Sequence, residues 1–243
     1  MKTKELLLPF IVVFVLILST SGLTPWNRIT GKGKIVTVSR KVTNFTSVDL
    51  RTGANVEITK GTAFHVSVSD YENLVQYLSV KVENNCLIIQ DESNKFSFNN
   101  SKAKVSITMP DPLYSLKLAG SGNMNVHSAF NDLQSLKITG SGNIELERAL
   151  QLNKLDVQLV GSGNVNAKGT VRDLYAKISG SGDIHFSQLR AKNGNCSLSG
   201  SGNMDLAVED KLDASLSGSG EIAYSGNAVV HSHVSGSGRI YKK

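Results

Sequence analysis

From about residue 113 onward the chain alternates apolar and polar residues with a period of two, and one tripeptide interrupts that alternation again and again. Gly-Ser-Gly begins at Gly120, Gly140, Gly161, Gly180, Gly200, Gly218 and Gly236, at intervals of 20, 21, 19, 20, 18 and 18 residues. Two residues before the first Gly stand Leu118, Ile138, Leu159, Ile178, Leu198, Leu216 and Val234, and four before it Leu116, Leu136, Val157, Ala176, Cys196, Ala214 and Ser232. Between these columns lie Lys117, Lys137, Gln158, Lys177, Ser197, Ser215 and His233. After the tripeptide come Asn123, Asn143, Asn164, Asp183, Asn203, Glu221 and Arg239, then Met124, Ile144, Val165, Ile184, Met204, Ile222 and Ile240. Such alternation marks a strand with one buried face. Each copy therefore reads as strand, Gly-Ser-Gly corner, strand and a polar connector.

A two-stranded unit of this size cannot bury its apolar face alone, whereas stacking turns each aliphatic column into an internal ladder. Glycines beside the Ser allow the positive φ of a tight corner. The expected fold is all-β, a parallel β-helix or closely related β-solenoid, with seven coils about 4.8 Å apart and a height on the order of 30 Å. An antiparallel meander would account for the lengths, but not for like residues recurring in columns.

Ahead of the repeats the pattern is less regular. Strand-like runs occupy Ser47 to Lys60, Phe64 to Ser69, Leu78 to Val82, Leu87 to Gln90 and Lys104 to Met109, with a helical turn at Asp70 to Tyr77 capped by Asp70. Thr52-Gly53-Ala54-Asn55-Val56 reads as a degenerate corner. These irregular coils are expected to close the first end, because a repeat array otherwise presents an open sheet edge. At the other end Arg239, Lys242 and Lys243 charge the last coil and discourage edge-to-edge association.

Composition agrees with a globular chain: 40% hydrophobic and 19% charged residues in 243, neither polyelectrolyte nor multi-span membrane protein. The net charge of +6 is scattered, with no basic run, so nucleic acid is not suggested as a partner. Lys2 and Lys4, the apolar run Leu6 to Leu18 and Ser19 to Gly22 follow the order of a secretory signal, cleaved or kept as a membrane anchor. The expected organisation is a signal over 1–23, a linker over 24–36, irregular β coils over 37–112 and the repeat solenoid over 113–243. Asn44-Phe45-Thr46 and Asn99-Asn100-Ser101 fit a glycosylation sequon but read as polar turn residues.

Thr43-Asn44-Phe45 leading into Val48-Asp49-Leu50, then Asn55-Val56-Glu57-Ile58, Val80-Lys81-Val82-Glu83-Asn84-Asn85, Leu87-Ile88-Ile89 and the Gly-Ser-Gly-Asn repeats resemble the "putative auto-transporter adhesin head GIN domain" family over about Gly31 to Ile240. The resemblance implies an exported bacterial envelope or surface protein with a right-handed, pectin-lyase-like β-helix. It also implies that the central serines, Ser121, Ser141, Ser162, Ser181, Ser201, Ser219 and Ser237, line an outer edge that contacts a partner. The chain has no alternating strand series for a membrane barrel after the repeats.

Those serines form one hydroxyl per coil, able to bond a glycan or a cell-surface protein; a local hydrogen bond at the corner is the plainer role. Asn123, Asn143, Asn164 and Asn203 are expected to form a polar ladder. A β-helix enzyme acting on polysaccharide would need paired carboxylates. Asp183, Asp205 and Glu221 lie in neighbouring coils, but Asp183 and Glu221 share a column with Asn and Arg. His185, His231 and His233 lack a metal-ligand pattern. Cys196 falls in an inward column, Cys86 just before an apolar strand. No catalytic residue, metal or cofactor is assigned. The expected function is adhesin-like binding, with a polysaccharide-active enzyme and a structural envelope protein as the alternatives.

Overall fold

The computed structural model describes residues 27–92 and 96–243, so the signal stretch lies outside the described residues. The chain is β almost throughout. Before the repeats come β1 (Asn27–Thr30), β2 (Ile35–Arg40), β3 (Ser47–Leu50), β4 (Asn55–Lys60), β5 (His65–Tyr71), β6 (Leu78–Glu83), β7 (Cys86–Asp91), β8 (Phe96–Asn99) and β9 (Lys104–Met109). The repeats supply β10 (Ser115–Gly120), β11 (Asn123–Val126), β12 (Ser135–Gly140), β13 (Asn143–Leu146), β14 (Leu150–Gly161), β15 (Asn164–Gly180), β16 (Asp183–Gly200), β17 (Asn203–Gly218), β18 (Glu221–Ser225), β19 (Val229–Gly236) and β20 (Arg239–Lys242).

Like residues stack on like, in parallel. Leu116 pairs with Leu136, and the column continues through Val157, Ala176, Cys196, Ala214 and Ser232. Gly120, Gly140, Gly161, Gly180, Gly200, Gly218 and Gly236 form another such column. The common direction excludes the meander and makes a β-solenoid of about 6 turns. One side of each coil precedes the corner and a second follows it. Early connectors cross the third side as loops that bury Phe130 and Leu133. From Leu150 the connectors are themselves strands, with Leu152 over Val171, then Ala191 and Val208, which is why β15 and β16 reach 17 and 18 residues.

The interior is dry and aliphatic. Leu118, Ile138, Leu159, Ile178, Leu198 and Leu216 are all at most 1% exposed. Burial on that scale contributes about 1.5–3 kcal/mol per side chain, and it sets the register, since a one-residue slip would turn every aliphatic outward.

The N-terminal region belongs to the same stack, threaded out of order. Val48 and Leu50 pair with Leu116 and Leu118, and Asn55 and Val56 with Asn123 and Met124, so Thr52-Gly53-Ala54 is a true corner. On its other edge the same rung pairs with β7 and β9. The chain thus leaves the β3–β4 rung, runs through β5 and β6, which pair antiparallel with β9 and β7, and lays β7 and β9 beneath before β10 is added above. β2 is antiparallel to β5, and β1 parallel to β8.

Three local readings differ from expectation. β1 and the start of β2 occupy the stretch read as linker. The helical turn contracts to a 3-10 turn at Val75–Tyr77, while Asp70 stays in β5. Asp70 is no helix cap because its buried carboxylate accepts from the Tyr71 and Lys102 amides (2.8 Å each) and the Ser101 hydroxyl (2.7 Å), closing a distant loop.

Candidate functional site

The corner owes its shape to the coil beneath as much as to its own residues. The first Gly has positive φ throughout, +136° at Gly140, a region that L side chains rarely adopt. The second Gly does not, yet a Cβ built at Gly142 would lie 1.9 Å from the Gly122 carbonyl oxygen. The expectation that both glycines serve positive φ therefore holds for the first alone; contact between stacked backbones demands the second. Backbone bonds fasten the corners, as where the Ser162 amide donates to Gly140 O (2.9 Å) and the Ser181 amide to Gly161 O (2.9 Å).

With the flanking glycines committed to stacking, the central side chain has only outward to go. Ser121, Ser141, Ser162, Ser181, Ser201, Ser219 and Ser237 are all exposed, in one file. Among the described residues none of these hydroxyls bonds another protein group, whereas Ser101, Ser128 and Ser225 do bond. The local hydrogen bond expected at the corner is not made.

Asn143 Oδ1 accepts from both the backbone amide and the Nδ2 of Asn164 (3.0 and 2.8 Å), and Asn123 Oδ1 accepts likewise from Asn143 (3.2 and 2.8 Å). Asp183 plays the same part for Asn203. The asparagines thus form the expected ladder, which extends down to Asn55.

The enzyme-like candidates come apart. Asp183 and Glu221 lie on either side of Asn203 in one column, two rungs and about 10 Å apart. Each is engaged elsewhere, Asp183 by Asn203, Glu221 by Arg239 (2.8 Å) and Asp205 by Lys243 (2.7 Å). His185 stands on the side after the corner, and His231 and His233 on the side before it. His231 pairs with Asp213 at 3.2 Å. Cys86 and Cys196 are free and sit in widely separated rungs; burial pushes the Cys196 thiol up to about 12, so it is inert packing. Asn44 and Asn100 have φ of 59° and 57°, which fits the reading of the sequons as turns.

Sequence reasoning singled out only the corner serines. Outward positions before the corner carry Lys117, Lys137 and Lys177 in the early coils, but become Ser197 and Ser199, then Ser215 and Ser217, then His233 and Ser235 in the late ones. Together with Ser201, Ser219 and Ser237 the serines among them make a lattice of hydroxyls without Lys, Arg, Asp or Glu, about 4.8 Å between rungs and 6.6 Å along a strand. Reading the columns before the corner beside the corner itself would have revealed it.

The family model described as "Putative auto-transporter adhesin, head GIN domain" matches residues 44–228, from the first out-of-order rung to the last full repeat. The chain belongs to this family. Among solved structures this head GIN domain is similar to a putative adhesin from Bacteroides fragilis, with 27% identity and a TM-score of 0.82 over 88% of this chain and 100% of that one. It is also similar to a putative lipid binding protein from Parabacteroides distasonis, with 27% identity and a TM-score of 0.76 over 89% and 100%. A putative adhesin from Parabacteroides merdae, 20% identical with a TM-score of 0.75 over 89% and 99%, shares the fold. Among curated proteins nothing matches the sequence.

Proposed function

We propose that this head GIN domain is an exported, non-catalytic binding protein that holds a cell-surface glycan on its hydroxyl lattice. The observation that carries the reading is the file of corner serines with Ser197, Ser199, Ser215 and Ser217 beside it, none of whose hydroxyls bonds another group among the described residues. Hydroxyls of that kind donate and accept without paying to break an internal bond, and each is worth about 0.5–1.5 kcal/mol, so affinity comes from repetition. The adhesin-like family and neighbours support a surface role, and the N-terminal signal pattern supports export. The test is a glycan array with the wild type and with S197A/S199A/S201A/S215A/S217A/S219A. Loss of glycan binding with an unchanged melting curve is expected; equal binding by both proteins rejects the lattice. Release of reducing ends from a bound polysaccharide would instead indicate an enzyme.

A second reading is lipid binding, favoured by a cavity of about 580 Å³ in which Leu74, Tyr77, Leu78 and Phe98 meet charged residues, Asp70, Asp91, Lys102 and Lys104, an apolar and charged mixture of the kind that a lipid with its headgroup would need. The Parabacteroides distasonis neighbour supports it. Native mass spectrometry after incubation with phospholipid vesicles decides: a retained lipid supports this reading, and a bare chain rejects it.

A further inference from the structure

The last rung, β19 with β20, pairs on one edge only among the described residues, with β17 and β18 beneath it. Among the described residues its outer edge presents a row of open backbone N–H and C=O groups, and nothing described covers the solenoid interior there. In the column where Leu216 and Leu198 are 1% exposed, Val234 is 41% exposed. Val229 is 65% exposed, and Val230 and Ile240 are only part-buried. Proteins usually blunt such an edge with Lys or Pro.

Two of the three charges expected to do this are turned down onto the rungs beneath, Arg239 by one rung and Lys243 by two, while Lys242 stays exposed at the end of β20, off the β19 strand. Arg239 bonds Glu221 (2.8 Å) and Lys243 bonds Asp205 (2.7 Å), both from the side after the corner. β19 itself, Val-Val-His-Ser-His-Val-Ser-Gly, has no Lys, Arg, Asp, Glu or Pro. Its order is also symmetric: Val230-His231-Ser232-His233-Val234 reads the same from either end about Ser232. Antiparallel pairing about a two-fold axis through Ser232 sets each Val230 opposite a Val234, each His231 opposite a His233, and Ser232 opposite itself. The register with β17 places Val230, Ser232 and Val234 over the buried Leu212, Ala214 and Leu216, and the histidines outside over Asp213 and Ser215. Pairing in this way lays one open interior against the other.

We propose that a second copy of this chain docks end to end on β19, forming an isologous dimer through antiparallel β19 strands. The sides that precede the corner then run on from one copy to the other as one continuous face.

Sedimentation velocity of the purified chain from 1 to 100 μM tests the proposal. The wild type is expected to sediment as a dimer at the upper concentrations. H231K/H233K sets four like charges across the junction from exposed positions, and should raise the dissociation constant at least 100-fold while the melting temperature of the monomer stays unchanged. H231Q/H233Q should keep the dimer. In a C86S background, S232C should give a covalent dimer under mild oxidation, because the two Cβ atoms meet at the axis. A monomeric wild type throughout, or a dimer that tolerates H231K/H233K and does not cross-link through S232C, overturns the proposal.

Discussion

Thr52-Gly53-Ala54 and the Gly-Ser-Gly corners turn the chain at the same point of the coil, yet only the repeats need glycine on both sides. Beneath Gly142 lies the carbonyl of Gly122, and beneath Gly140 that of Gly120, with a Cβ at the latter 2.4 Å from the oxygen. Beneath Thr52 and Ala54 no described corner exists, because β7 and β9 are joined by a long excursion instead of a tight turn. There a side chain has space, and Thr52 even uses its hydroxyl to bond the Asp91 carboxylate at 3.0 Å, a group whose pKa burial raises. The comparison teaches that the repeated glycines report on the neighbouring coil. The turn alone asks for less.

The largest expected effect breaks this contrast directly. Gly163→Ala would bring its Cβ to 2.0 Å from the Gly142 oxygen and 3.2 Å from the Ile138 side chain, and should destabilise by about 3 kcal/mol or more in urea denaturation followed by circular dichroism. Ala54→Gly should cost no more than about 1 kcal/mol. If G163A unfolds at the wild-type urea midpoint, the stacking explanation of the second Gly is wrong.

Next in size is a pair expected to match. Ile138 in the repeats and Ile107 in the out-of-order rung are both at most 1% exposed, so Ile→Ala at either should cost about 3 kcal/mol. A much smaller loss at Ile107 would mean that the two regions differ in their interiors as well as in their corners.

The ladder gives a finer distinction. Asn143 Oδ1 receives two bonds from Asn164, whereas Asn55 Oδ1 receives one, from Asn123 Nδ2 (2.9 Å). Asn143→Ala should cost about 1–2 kcal/mol and Asn55→Ala about half as much, measured by chemical denaturation.

The smallest effect spans the seam between the regions. His127, from the first repeat, bonds Glu147 at 2.9 Å and also reaches Glu57 of β4. Its pKa is raised by the bond to Glu147 and then by that to Glu57, while burial opposes. At Glu57, burial acts to raise the pKa, but the bonds from His127 and Asn125 outweigh it and the net shift is downward. The histidine's contribution is therefore complete below the unfolded pKa near 6.5 and fades as pH rises through the higher folded value. The glutamate's contribution is present above its unfolded value and fades as pH falls through the lower folded one. The stability difference between wild type and His127→Gln should be greatest near pH 5.5–6 and shrink by pH 8.5. Solvent screening holds it below about 1 kcal/mol. A constant difference across that range removes the charge pair from the account.

The repeat stack was readable residue by residue. Columns such as Leu118 to Leu216 and Asn123 to Asn164 repeat at nearly equal spacing, and with period-two burial they can be satisfied only by parallel coils in register. The serine file was readable for the same reason. β1, β2 and β8 were not, since each is a short strand whose partner lies 26 to 69 residues away, and a single pairing of that kind leaves no periodic trace. Asp70 was misread as a cap because its actual donors, Ser101 and Lys102, are remote in sequence.

By itself the sequence determined the coil, its register and which side chains face in, because alternation and a recurrent corner are local properties multiplied by repetition. Only the tertiary structure decided that the β3–β4 rung lies inside the stack, that the second glycine answers to a carbonyl one coil away, and that hydroxyls from separate columns merge into one lattice. Each of those facts depends on which backbone lies next to which, and that adjacency exists only once the chain has wound upon itself.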